Sequence, residues 1–264
     1  MLEIPDGQLH YEVRGDGPLI ALIAAPMDAS SFQPLAELLA PNYTVLTTDP
    51  RGINRSRLND PSRDSTPELR AEDLSRLLTH LGRGPAVVLG SSGGAVTALA
   101  HAQAYPNQVH TVIAHEPPFY SLLEDREERM AGAEDIIATF KAGDIGGAWF
   151  KFLVNANIQL SEEEMASMAP AEPDPQHNAD QHYSFVHMLR GTVAWEPDLQ
   201  KLRSGTPKIV VGIGESSIGQ LCDRVSRALA RELNTSPAMF PGGHLGFLEK
   251  PEAFAVRLRD LLQV

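Results

Sequence analysis

The segment Val87-Val88-Leu89-Gly90-Ser91-Ser92-Gly93-Gly94-Ala95 sets Gly90, Ser92 and Gly94 in a G-x-S-x-G pattern, directly after an apolar run and directly before a helical one. The spacing has a steric reason. A serine on a sharp strand-to-helix turn takes a strained backbone, and small residues on both sides let the turn close. Its Oγ then stands clear at a sheet edge, beside a helix N-terminus that favours developing negative charge. A phosphate-binding loop is the competing explanation of a Gly/Ser-rich turn; the strand–turn–helix context favours Ser92 as a nucleophile. Ser91, its local rival, lacks glycines at the required offsets.

A serine hydroxyl is a poor nucleophile without a base. Of nine histidines, His244 stands in Pro241-Gly242-Gly243-His244-Leu245-Gly246-Phe247, after the last predicted strand and before the last predicted helix. That places it at the carboxyl edge of the strands, on the side of Ser92. His10, His80, His101 and His110 fall on predicted strands or helices, and the five-residue spacing of His177, His182 and His187 spreads them around a helix, against a shared metal. The third group of such a set is a carboxylate that holds the imidazole in the right tautomer. Glu116 and Glu215 both end predicted strands at that edge, and spacing leaves both open. The oxyanion needs two backbone donors. Gly93 is one; Ala25 is the other, because Pro26 has no N–H. Gly214–Gly219 has the glycine spacing of a phosphate loop without its Lys-Ser/Thr, and no paired metal-ligand motif occurs. Neither a metal nor a cofactor is expected.

The elements that must position these groups follow from the apolar pattern. Leu19–Ala24, Tyr43–Thr47, Ala86–Leu89, Val109–Ala114 and Ile209–Val211 are short continuous apolar runs, as strands covered on both faces are. Leu9–Val13 alternates, as a half-exposed antiparallel strand does. Helical patterns at Phe32–Leu39, Pro67–Leu81, Ala95–Ala104, Gln220–Leu233 and Pro251–Leu262 separate the runs, with Thr66 a candidate N-cap. The alternation predicts an α/β fold, a mostly parallel sheet with helices on both faces. From residue 117 to 202 no buried strand is evident, so 1–116 and 203–264 are expected to form the core and 117–202 a helical cap. Most of the cap's aromatics should pack on one another. Some should line a pocket over the strand ends, and Pro26, Phe119, Trp149 and Phe185 are the candidate substrate contacts.

Composition narrows the function classes. The chain has 264 residues with 22 Lys+Arg against 34 Asp+Glu, a formal charge of −12, and 42% hydrophobic residues. This acidic balance is set against a nucleic-acid partner, which needs clustered cations. The single Cys222 leaves no intrachain disulfide and fits a reducing compartment. The N-terminus has no basic, apolar leader pattern, and the longest apolar run, Pro18–Met27, spans about half of what a membrane helix requires. A cytoplasmic protein with a small-molecule substrate is expected; oligomeric state is not indicated.

Over nearly its whole length the chain resembles the α/β-hydrolase-fold proteins. Besides the G-x-S-x-G turn, Asp49-Pro50-Arg51-Gly52-Ile53-Asn54-Arg55-Ser56 is similar to their D-x-R-G-x-G-x-S loop, with Asn54 in place of the second glycine and Ile23-Ala24 in place of the usual His-Gly. Ala114-His115-Glu116-Pro117-Pro118 resembles the His-Glu-Leu-Pro segment of fungal zearalenone lactonases, which implies Glu116 as the triad acid. The position more widespread in the family matches Glu215. The resemblance implies a serine hydrolase, an esterase or lactonase, that cleaves an ester, lactone or thioester of a small, fairly apolar molecule through an acyl-enzyme. The same fold also carries ligand receptors, lyases and cofactor-free oxidative enzymes, which is the alternative.

Overall fold

The computed structural model describes residues 1–158 and 174–262. In chain order its strands are β1 (Leu2–Ile4), β2 (Gly7–Leu9), β3 (Tyr11–Arg14), β4 (Leu19–Ala25), β5 (Thr44–Thr48), β6 (Arg57–Leu58), β7 (Ala86–Ser92), β8 (Val109–His115), β9 (Lys208–Gly214) and β10 (Ala238–Phe240). Seven of them make one sheet in the order β10-β9-β8-β7-β4-β5-β3, while β1, β2 and β6 form a small separate one. Every pairing in the large sheet is parallel except that of the edge strand β3 with β5.

Successive side chains of a strand point to opposite faces, and β4 shows what this does here. Ile20 and Leu22 join Val45, the first helix α1 (Gln33–Leu39) and the C-terminal helix Pro251–Leu262 on one face. Ala21 and Ile23 join α2 (Pro67–Leu81) and α3 (Gly93–Ala104) on the other. Burial on both faces is why these strands read as unbroken apolar runs. Helix α2 begins as expected: the Thr66 hydroxyl accepts the Leu69 N–H at 3.3 Å, and the helix ends at Gly82.

The chain leaves β4 to one side for β5 and returns through α2 to β7 on the other side. That reversal opens a crevice at the carboxyl ends of β4 and β7, where α/β sheets bind ligands. Ala25 and Ser92, the last residues of those strands, are paired in register there.

Two expectations are corrected. Leu9–Val13 is not one strand, because His10 divides it. Its N–H donates to Ser56 Oγ at 2.9 Å and its carbonyl accepts from Asp49 N and Thr48 Oγ1, so the strand changes sheets at that residue. β10 was not anticipated; three residues are too few for a period to show.

Between β8 and β9 the described residues contain helices α4 (Arg126–Lys141) and α5 (Ile145–Ala156), then Pro175–Tyr183, a π-helical turn Ser184–Met188, Leu189–Val193 and Leu199–Ser204. Their aromatics pack on one another, with Phe140 stacked on Phe185 at 4.8 Å and Trp149 edge-on to Phe185 at 5.0 Å. Arg70 of α2, buried, ties this region to the helices α2 and α3 that cover the sheet. Its guanidinium donates to Ser65 O, to Thr97 Oγ1 of α3, and to Thr192 Oγ1 of the insert. Among the described residues no helix is long and apolar enough to cross a membrane.

Candidate active site

β7 runs into α3 with no intervening loop, and Ser92 is the hinge, at φ 56° and ψ −127°. The flanking glycines are required by contact. A Cβ on Gly90 would lie 2.3 Å from the Gly94 carbonyl oxygen, and one on Gly94 would lie 2.1 Å from that of Ile23. Ser91 is directed inward. Its Oγ is 3.1 Å from His115 Nδ1, both residues are fully buried, and burial pushes the His115 pKa down to about 4.

Glu116 follows β8 directly, fully buried and with φ 53°. One carboxylate oxygen accepts the Gly214 N–H at 2.8 Å, and the other lies 2.6 Å from His244 Nδ1. The loop that carries His244 is held from the same side: the Gly242 carbonyl accepts the Ser216 N–H at 2.9 Å, and Gly242 takes φ 85°. Burial by itself raises the Glu116 pKa, but the hydrogen bond and charge of His244 prevail and hold it at about 2. Burial likewise opposes a charge on His244. The neighbouring Cys222 sulfur and the Glu116 carboxylate outweigh it, and the imidazole pKa stands well above its ordinary 6.5.

Glu215, the other sequence candidate for the acid, is exposed at the start of a 3-10 turn and makes no hydrogen bond to His244. The reason is local. β9 runs on to Gly214, whose N–H is turned to Glu116, so the next side chain faces solvent.

A cavity of about 430 Å³ lies over the strand ends, bounded below by Ala25, Ser92, Gly93 and His244. Of the candidate substrate contacts Pro26, Trp149 and Phe185 line it, and Phe152 joins them. Phe119 does not. Pro118 and Tyr120 face the cavity, and between them in this extended segment Phe119 points the other way, fully buried and edge-on to Trp195 at 5.5 Å. Among the described residues no hydrogen bond joins Ser92 Oγ to His244. Contacts between nucleophile and base are often long until substrate tightens them.

Sequence reasoning missed several groups here. Cys222, second residue of the helix Leu221–Glu232, lines the cavity, and its sulfur, a Glu116 oxygen and a His244 ring nitrogen lie within 4.8 Å of one another. Those atoms have metal-ligand chemistry, but both Glu116 oxygens are already engaged. Asp28 and Asp180 also reach the cavity, bridged by Asn54. Asn54 has φ 49°, a left-handed conformation that asparagine tolerates, and so it fills the place of the loop's second glycine. The loop has a bracing role: Asp49 Oδ1 accepts the Ala29 N–H at 2.9 Å, which anchors the segment just after Ala25-Pro26.

A doubly covered, mostly parallel sheet with a strained serine at the end of β7, and a buried carboxylate after β8 in contact with a histidine in the loop after β10, defines a hydrolase of the α/β class. The alpha/beta hydrolase family model matches residues 20–257, and the chain belongs to that family. The uncharacterized hydrolase YraK of Bacillus subtilis is 31% identical over a 275-residue alignment that covers 99% of this chain and 95% of YraK. Among solved structures, a thermophilic esterase from Thermogutta terrifontis is 23% identical with a TM-score of 0.68, covering 97% of this chain and 93% of that one. Est816, described as an N-acyl homoserine lactone degrading enzyme, is 20% identical with a TM-score of 0.72, covering 98% of each chain. At these identities the structural likeness establishes the fold.

Proposed function

We propose that the protein is a serine hydrolase that cleaves a carboxylic ester, lactone or thioester of a small, fairly apolar molecule through an acyl-enzyme. Ser92 Oγ attacks the carbonyl carbon while His244 takes its proton. The Ala25 and Gly93 amides stabilise the tetrahedral oxyanion at the crevice where β4 and β7 end. Collapse expels the alcohol or thiol, which receives the proton from His244. A water then attacks the acyl group, His244 takes its proton, and Ser92 recovers that proton as the acid departs. Glu116 orients the ring through Nδ1 and stabilises the imidazolium, which leaves Nε2 for the proton transfers.

The observation that supports this most is the 2.6 Å contact between a fully enclosed Glu116 and His244 at the wall that Ser92 shares. The aromatic side chains of the insert support an apolar acyl or alcohol group. The esterase and the lactone-degrading enzyme among the structural neighbours act on the same bond types by name. A fluorophosphonate probe tests the reading directly. It is expected to label the protein once, at Ser92, with the adduct located by peptide mass spectrometry and lost in Ser92→Ala. A protein that is not labelled, or a Ser92→Ala variant with unchanged ester turnover, removes the mechanism.

A further inference from the structure

The ionisable groups around the cavity are markedly one-sided. Among the described residues that line it there is no Lys or Arg. Beside His244, Cys222 and the Tyr120 phenol, which burial keeps neutral, the ionisable side chains that reach it are Asp28, Asp180 and His177. Residues 159–173, which precede this wall in sequence, contain no Lys or Arg either. The two carboxylates are held by neutral donors. Asp28 Oδ2 accepts from Asn54 Nδ2 at 2.6 Å and Oδ1 accepts from the Ser30 N–H and hydroxyl. Asp180 Oδ1 accepts from the Asn54 N–H and from Gln176 Nε2, each at 2.8 Å. No described cation pairs with either one, whereas the buried carboxylates Asp49, Asp73 and Asp223 are paired with arginine.

Resting on the serine-hydrolase reading above, we propose that Asp28 and Asp180 set the charge selectivity of this enzyme. Substrates with neutral or cationic acyl and alcohol groups are accepted, and those carrying a carboxylate or phosphate are rejected. The physical reason is the low polarity of the remaining wall. An anion entering it loses water and meets no Lys or Arg among the described residues to replace that water. It also meets two fixed like charges, each partly exposed at the cavity, whose repulsion adds to that loss. A cation meets the same two charges as attraction and has aromatic faces of Trp149 and Phe185 nearby.

Three esters of one length test this: 4-nitrophenyl hexanoate, its analogue with a terminal carboxylate (mono-4-nitrophenyl adipate), and its analogue with a terminal trimethylammonium. The adipate ester is expected to show kcat/KM about 10- to 100-fold below the hexanoate, with the cationic ester at least equal to the hexanoate. Raising the ionic strength should narrow the gap. So should Asp28→Asn combined with Asp180→Asn, which removes both charges while keeping the Asp180 acceptor and one of the two Asp28 acceptors. An adipate ester turned over as well as the hexanoate overturns the proposal and leaves the serine-hydrolase reading intact, as does a gap the double variant does not narrow. If no ester is turned over, the serine-hydrolase reading fails instead. Charge preference is then read by calorimetry with hexanamide and adipamate on the unmodified protein, where equal or tighter binding of the anion overturns the proposal and weaker binding supports it.

Discussion

At the sheet edge Ser92, Glu116 and His244 are fixed by main chain, whereas in the cap Trp149, Phe152 and Phe185 are fixed by one another. Ser92 and Glu116 each end a strand with positive φ, and Gly214 and Gly242 are main-chain partners of the acid and of the histidine loop. A strand end admits few alternatives, so a side chain placed there is placed closely. The cap aromatics form a cluster of rings at centroid distances of 4.8 to 6.2 Å, whose shape depends on volume more than on any one bond. On the proposed mechanism the chemistry belongs to the rigid layer and the fit of an apolar substrate to the packed one. A change at Ser92 should abolish turnover without loosening the protein. Changes in the cap should shift KM or stability and leave the chemical step standing.

The sharpest attempt to break this division is Ser92→Ala. Loss of the nucleophile in an acyl-transfer site costs on the order of 10⁶-fold in kcat. The Ser92 side chain makes no capping hydrogen bond to α3, so the melting temperature should not fall. A variant that loses activity and stability together contradicts the division.

Glu116→Gln comes next, with about a 10⁴-fold loss in kcat expected, while Glu215→Gln should stay within about 2-fold as an exposed surface change. The pH profile adds a direction. His244 acts as a base when neutral and its pKa stands above 6.5, so kcat/KM should rise with pH through a limb above that value. Glu116→Gln removes one of the groups that raise the pKa, and the limb should move to lower pH. Stability gives the converse sign. The Glu116 pKa is lowered in the fold from 4.5 to about 2, so its contribution is complete above 4.5 and fades as pH falls from there towards 2. Urea unfolding of the parent between pH 6 and 2.5 should show that loss, and Glu116→Gln should show a shallower one.

This edge was largely evident in the sequence, for the same reason that it is rigid. The elbow needs glycines where a Cβ would meet backbone, so Gly90, Ser92 and Gly94 carry their geometry in their identities. Glu116 and Glu215 were not separable by spacing, since both follow strands; in the structure Glu116 is buried against His244 and the Gly214 N–H while Glu215 is exposed. The cap was evident as helices and aromatics, but its contacts were not. Phe119 and Tyr120 are adjacent and alike in chemistry, yet alternation along an extended segment sends one to the core and the other to the cavity. Arg70 gave no sign of its role, because its partners Ser65, Thr97 and Thr192 are scattered polar residues.

Arg70 is where the two layers are joined, so it measures how far they are separable. Its guanidinium is enclosed with hydroxyl and carbonyl acceptors, and burial pulls its pKa down to about 10. Arg70→Ala leaves Thr97 and Thr192 without this donor, at roughly 1–3 kcal/mol for each group left unsatisfied. A drop of about 3 kcal/mol in urea unfolding is expected. A second, earlier transition for the cap would show that Arg70 couples the layers; a single shifted transition would show that they unfold as one.

The finest distinction is between two rings within the cap itself. Phe185 is buried at the centre of the aromatic cluster, and Phe185→Ala should cost about 3–4 kcal/mol through the cavity it leaves. Trp149 touches the same cluster but remains partly exposed and faces the substrate cavity. Trp149→Ala should therefore lower stability by only about 1 kcal/mol while raising KM about 10-fold, a binding loss of roughly 1.4 kcal/mol, with kcat changed little. Equal stability losses in the two variants would mean that Trp149 is a core residue whose exposure is incidental. A fall in kcat with KM constant would place Trp149 among the groups that act on the transition state, and the cap would then share in the chemistry that the sheet edge is expected to carry alone.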